Sequence, residues 1–285
     1  MRATLLLLAG WGVLAVLGGG DASGWAMVET PAVESWQPVA TEIGASEVIT
    51  WSAYLPFVAR VAADGCQPIP SETYGIWDPE GDPTDRPAEQ HADLNLALRG
   101  YEVNPDADLG LVDIGGGSDP KAPQLRGLFA DGRTPTFTTV YQVYDWDWGC
   151  NCRGPLLQPP VHPEVTLAGM GVAPGETIHV PSSGYTIGGG YEVLVLYATE
   201  ERITLKYTNA DNVVHGYTLH VEHLCVEPRL LALYQQWNAE GRSRLPALKA
   251  GQAFGRARSG EIGVAIRDEG TFMDPRSDKD WWQGR

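Results

Sequence analysis

The sequence predicts a mainly β protein of antiparallel sheets, in which a C-terminal β module with one helical insert follows a smaller β-rich region. Three observations predict it. The 285 residues include 34 glycines and 21 prolines, which divide the chain into short segments separated by turns. Short runs of apolar and β-branched residues recur between those turns, most clearly in the last 125 residues. One stretch alone, residues 228–238, carries apolar side chains at a spacing of three to four. A hydrophobic fraction of 43%, with 10 Trp and 11 Tyr, supplies a real core. The 36 acidic and 20 basic residues give a net charge of −16. A chain this acidic lacks the basic field that nucleic acids and anionic lipid surfaces require.

Taken from the N-terminus, residues 1–26 read as a secretory signal peptide: Met1-Arg2, an apolar run over 3–17, then small residues up to a cleavage point at Ala26. Fifteen helical residues span about 22 Å, short of the ~30 Å hydrocarbon core. The mature chain is therefore expected outside the cytoplasm, secreted or in the cell envelope, and not membrane-spanning. Residues 27–63 read as a linker, with the apolar stretch 49–61 as a docking segment or strand. Residues 64–160 form the β-rich N-terminal region, opening with a turn-rich loop and then strands expected at 92–98, 109–114 and 136–144. Residues 161–285 form the C-terminal module, with strands expected at 177–180, 191–198, 202–207, 217–224 and 263–267. Leu230, Leu233, Tyr234 and Trp237 mark the helix between them. Whether 64–160 folds by itself or packs into one unit with the module is left open.

The four cysteines, Cys66, Cys150, Cys152 and Cys225, fit a disulfide framework in an oxidising compartment. Cys150 and Cys152 stand one residue apart, which favours pairing of Cys66 and Cys225 separately with that pair. In Tyr144-Asp-Trp146-Asp-Trp148, strand alternation puts the three aromatics on one face. Buried, that face is a core stripe, the favoured reading; exposed, Trp146 and Trp148 form a platform for stacking on sugar rings. The acidic turns at 78–85 and 104–108 lack the EF-hand pattern and read as solvated loops. No nucleophile motif or phosphate loop stands out.

Four landmarks in order carry a family resemblance: APGETIHVPSSGY at 173–185, the strand-rich 191–224, KAGQAFG at 249–255 and GEIGVAIRDEGTFMDP at 260–275. Together they resemble the lysostaphin-like (LytM-like, duplicated hybrid motif) zinc endopeptidases. The resemblance implies a β fold in which zinc is held by the His and Asp of an HxxxD segment and by the second His of an HxH strand, with the remaining two histidines handling water and the transition state. Carried over, the first motif falls on His162 and Thr166, and the second on Glu261 and Gly263. The family's further histidine falls on His223, with His220 as an alternative. An earlier HxxxD candidate is His91 to Asn95. One of three zinc ligands survives this transfer, so the resemblance implies a degenerate peptidase without resident zinc that binds peptide, cell-wall material or a protein partner. Two other expectations stand beside it. One is an active zinc endopeptidase on cell-wall peptides with ligands drawn from His91, His162, His220, His223 and Glu261. The other is a surface protein that binds glycans through Trp146 and Trp148.

Overall fold

The computed structural model describes residues 66–81 and 84–284. The expected signal peptide, linker and docking segment lie outside the described residues. Among the described residues fourteen strands are formed: β1 (Gly75–Trp77), β2 (Tyr101–Val103), β3 (Phe137–Asp147), β4 (Cys152–Leu156), β5 (Leu167–Gly171), β6 (Thr177–His179), β7 (Val193–Ala198), β8 (Arg202–Lys206), β9 (Thr218–Glu222), β10 (Leu224–Val226), β11 (Leu245–Leu248), β12 (Ala253–Ala257), β13 (Glu261–Asp268) and β14 (Thr271–Met273). Three α-helices join them: α1 (Leu96–Arg99), α2 (Pro228–Ala239) and α3 (Asp278–Trp281). The protein is mainly β and antiparallel, with α2 as the one long helical insert.

The principal sheet runs β1-β11-β7-β8-β9-β13-β5-β3-β2, with β14 paired to β13 and β4 to β3; a second sheet runs β10-β12-β6. Strands from before residue 161 flank those from after it in the first sheet, β1 pairing with β11 and β3 with β5. The two stretches thus share one hydrogen-bonded framework. Alternation then divides the side chains. Val221, Val264, Ile266, Ala168, Met170 and Val140 point into the larger core, together with Leu230 and Tyr234 of α2. Leu167, Val143 and Ala265 point to the opposite face and meet Leu96, Leu157 and Phe272 there. Helix α2 starts where Glu227 accepts hydrogen bonds from the backbone N–H of Arg229 and Leu230, with Pro228 at its first position.

Several expectations are corrected. Residues 92–98 are not a strand. Two turns and α1 lay this segment across the second face, with the Thr204 hydroxyl donating to Leu94 O at 2.7 Å. Residues 109–114 provide only one bridge, Val112 to Ser277, since Gly110 adopts a φ of 146° and Leu109 and Leu111 remain exposed. The cysteines pair as Cys66–Cys225 and Cys150–Cys152. The short pair closes because Asn151 between them takes a left-handed φ of 53°, which holds the two Cα atoms 5.3 Å apart. Trp281 and Trp282 are buried, their indole N–H groups donating to Asp274 O and Pro275 O. Among the described residues no helix is long and apolar enough to cross a membrane.

Candidate functional site

The second face of the principal sheet carries polar side chains at alternate positions. On β13 the positions facing this side are Glu261, Gly263, Ala265 and Arg267; Gly263 lies between Gly169 of β5 and Glu222 of β9. Farther across stand Tyr141 of β3 and Tyr101 of β2. Their rings meet edge to face at 5.2 Å. The glycines have a packing reason: a Cβ on Gly169 would stand 2.4 Å from Glu261 Oε2. Any side chain there would drive that carboxylate off its partners. Glu261 Oε1 accepts from the Tyr141 hydroxyl at 2.9 Å and Oε2 from Thr138. The Tyr101 hydroxyl shares a hydrogen bond of 3.2 Å with His223 Nε2. His223 itself has a left-handed φ of 62° at the break between β9 and β10.

The result is a half-buried strip, Glu261, Tyr141, Tyr101 and His223, bordered by the buried Glu222 in an ion pair with the half-buried Arg202 at 2.9 Å. Burial raises the pKa of Tyr101 to about 12, reinforced by the charge of Glu222. Burial raises that of Tyr141 too, with the hydrogen bond to Glu261 adding to it. Burial likewise raises Glu222, against the opposing pull of Arg202. Both phenols therefore stay protonated at neutral pH and act as hydrogen-bond donors or acceptors. Such a strip can recognise amide and hydroxyl groups, but it contains no activated nucleophile.

The expected site residues separate into different surroundings. His223 and Glu261 lie along the strip. His220 is wholly buried: its Nδ1 hydrogen-bonds Thr204 Oγ1 at 3.0 Å, its ring lies over Phe272, and its Nε2 has no partner. Since the Thr204 hydroxyl already donates to Leu94 O, it accepts from His220, which fixes the Nδ1–H tautomer. Burial, with the charge of Arg267, lowers the pKa of His220 to about 3. His162 lines a separate cleft of about 390 Å³ with Pro160, Phe272 and Arg276. Thr166 is buried, donating to Gln142 Oε1 and accepting from the backbone N–H of Val143. His91 packs its ring against Trp148 at 5.1 Å.

Zinc held as the resemblance implies needs three donors converging on one point. The hydroxyl of Thr166 is engaged in the β3–β5 junction, Gly263 and Gly169 bring no donor, and Glu261 is held by Tyr141 and Thr138. These residues do not fit the ion. Among the described residues, no group of three or more His, Cys, Asp or Glu has a geometry that could hold a metal.

The aromatic stripe is not a core stripe. Strands β3 and β4 run on as a two-stranded hairpin, leaving Trp146 half-buried and Trp148 exposed. Arg86 lies over the Trp148 ring at 4.7 Å. Beside it, Asp85, His91, Asp93, Asn212 and Val214 line a cleft of about 320 Å³. Tyr101, Tyr141 and Thr138 escaped sequence reasoning, and the one signal that could have pointed to them was the alternation of 136–144, which puts Tyr141 on a single face. Comparison of the chain with protein-family models, curated proteins and solved structures finds no match.

Proposed function

We propose that this is a secreted protein of lysostaphin-like fold that has no peptidase chemistry and binds cell-wall peptide along the strip of Glu261, Tyr141, Tyr101 and His223. The observation that carries the reading is Gly263, which stands where the resemblance calls for a metal donor and pairs with Gly169, over which Glu261 reaches to Tyr141 and Thr138. Supporting it, the strip offers one carboxylate, two phenols and an imidazole in a row. That set suits the alternating N–H and C=O groups of an extended peptide. Calorimetric titration with glycine-rich and peptidoglycan-derived peptides tests it. Binding that weakens at least tenfold in E261A and Y101F is expected. Stoichiometric zinc lost in H162A, or chelator-sensitive cleavage of the same peptides, refutes it.

A second reading, a glycan-binding surface, is favoured by one observation: the exposed Trp148 at the mouth of a cleft containing Asp85, Asp93 and Asn212. An aromatic face with flanking carboxylates stacks on a sugar ring and accepts its hydroxyls. Tryptophan fluorescence that does not respond to envelope polysaccharides, or responds equally in W148A, removes it.

A further inference from the structure

The two disulfides stand in contrasting positions. Cys66–Cys225 joins residues 159 apart and fastens the first described segment to β10. Cys150–Cys152 spans two positions at the tip of the β3–β4 hairpin, and both of its cysteines are exposed. The tip is also held without the sulfurs. Asp147 pairs with Cys152 in the strand register, and Asp147 Oδ1 accepts from the backbone N–H of Gly149 at 2.7 Å and of Cys150 at 3.4 Å. Asn151 Oδ1 accepts from Arg86 Nη1 at 2.6 Å and from the Trp146 indole at 3.4 Å. Opening this bridge leaves the turn its hydrogen bonds, whereas opening Cys66–Cys225 releases a long loop.

We propose that Cys150–Cys152 is a reversible thiol–disulfide exchange centre that accepts two electrons from an external dithiol, while Cys66–Cys225 is a permanent clasp. In the exchange, a substrate thiolate attacks one of the two sulfurs, the Cys150–Cys152 bond breaks, and the other cysteine leaves as a thiolate that takes up a proton. The second substrate thiolate then attacks its own sulfur in the mixed disulfide. The substrate becomes a disulfide and the protein a dithiol. Exposure makes the attack line accessible. Access separates the two bridges. Cys150 and Cys152 are exposed, whereas Cys66 and Cys225 are half-buried, so an external thiolate reaches the short bridge first.

The test uses the full chain in buffers of reduced and oxidised dithiothreitol over a wide range of ratios, quenched by alkylation, with each cysteine pair read by peptide mass. Cys150 and Cys152 are expected to alkylate at a reductant ratio at least about tenfold below that required by Cys66 and Cys225, with the circular dichroism spectrum unchanged. The oxidised protein is then expected to convert one equivalent of a reduced dithiol peptide to its disulfide, and a C150S/C152S variant to convert none. Reduction of both bridges at one ratio, reduction of Cys66–Cys225 first, or loss of the native spectrum along with the short bridge overturns the proposal. Should the double variant fail to fold, the alkylation order and spectrum of the unmodified chain still decide it.

Discussion

Asp93 is the acid on which the cover of the second sheet face depends. Its Oδ1 accepts from Arg99 Nη2 at 2.6 Å and from Arg267 Nη1 at 2.8 Å, and both arginines are 4% exposed. Arg99 also donates to Ala92 O, and Arg267 to Gly270 O, so one carboxylate ties residues 92–99 to β13 and the turn before β14. D93A removes the shared carboxylate from two buried guanidinium groups and leaves only the longer Arg99–Asp145 ion pair at 3.5 Å. Removing one partner of a buried pair costs about 3–5 kcal/mol. For a domain of this size each kcal/mol lowers Tm by about 2–4 °C, which puts the drop for D93A at about 6–20 °C. D93N keeps one acceptor oxygen and the volume, and is expected to lose about half as much. The sign of the pH dependence follows from the carboxyl itself. Burial opposes its ionisation, but Arg267 and Arg99 prevail and hold its pKa at about 2, below the ordinary 3.8. Stability from this group is therefore complete above about pH 4 and lost as pH falls toward 2, in total about 2 kcal/mol. Urea denaturation followed by circular dichroism at pH 7, and again between pH 4.5 and 2.5, measures both effects. A D93A protein within 1 kcal/mol of the parent at pH 7, or a D93N protein with the full acid transition, would refute the reasoning.

His220 is expected to remain neutral across the physiological range. Its folded pKa of about 3 lies below the ordinary 6.5, so the stability tied to its neutral form is complete above pH 6.5 and is lost as pH falls toward 3. Its imidazole resonances in proton NMR should not shift between pH 8 and 5, and a normal titration there would contradict its burial beneath Leu94 and Phe272. Replacing Cys66 and Cys225 by serine should cost about 4–5 kcal/mol, the chain-entropy value for so long a loop, read as a lower urea midpoint. E261Q removes the negative acceptor from Tyr141, so ultraviolet titration should show one tyrosine ionising at a lower pH than in the parent.

Where short apolar and β-branched runs stand between turns, the structure follows them: β7, β8 and β9 fall within the expected stretches, β3 and β13 overlap theirs and run beyond them, and α2 follows its three-to-four spacing. The misplacements have physical causes. Residues 92–98 alternate as a strand does, yet Leu94 and Leu96 reach the core from consecutive turns, because Asn95 Nδ2 bonds Glu89 O and the Leu94 and Asn95 N–H groups bond His91 O. Strand β5 escapes notice because Gly169 and Gly171 weaken its pattern, although the approach of Glu261 requires a residue without a side chain at 169. Cys150–Cys152 depends on one left-handed residue, which spacing alone does not reveal.

The strip shows why candidate residues were easier to find than the site. The landmarks along the chain point to His223 and Glu261, but their partners arrive through topology. Tyr141 and Tyr101 come to them only because β5 lies between β13 and β3, while β2 closes the far edge. The same face then divides into two by cover alone. Over β8 and β9, the 92–99 segment shuts His220 and Thr204 away from solvent, and the polar groups there pair internally or stay neutral. Toward β2 and β3 that cover gives out, and Glu261, Tyr141, Tyr101 and His223 remain half-exposed. A histidine two positions from the end of β9 is thus a core residue, and one just past its end a surface residue. What separates them is the chain laid over the sheet together with the left-handed turn at His223, and neither is written in the spacing of the histidines.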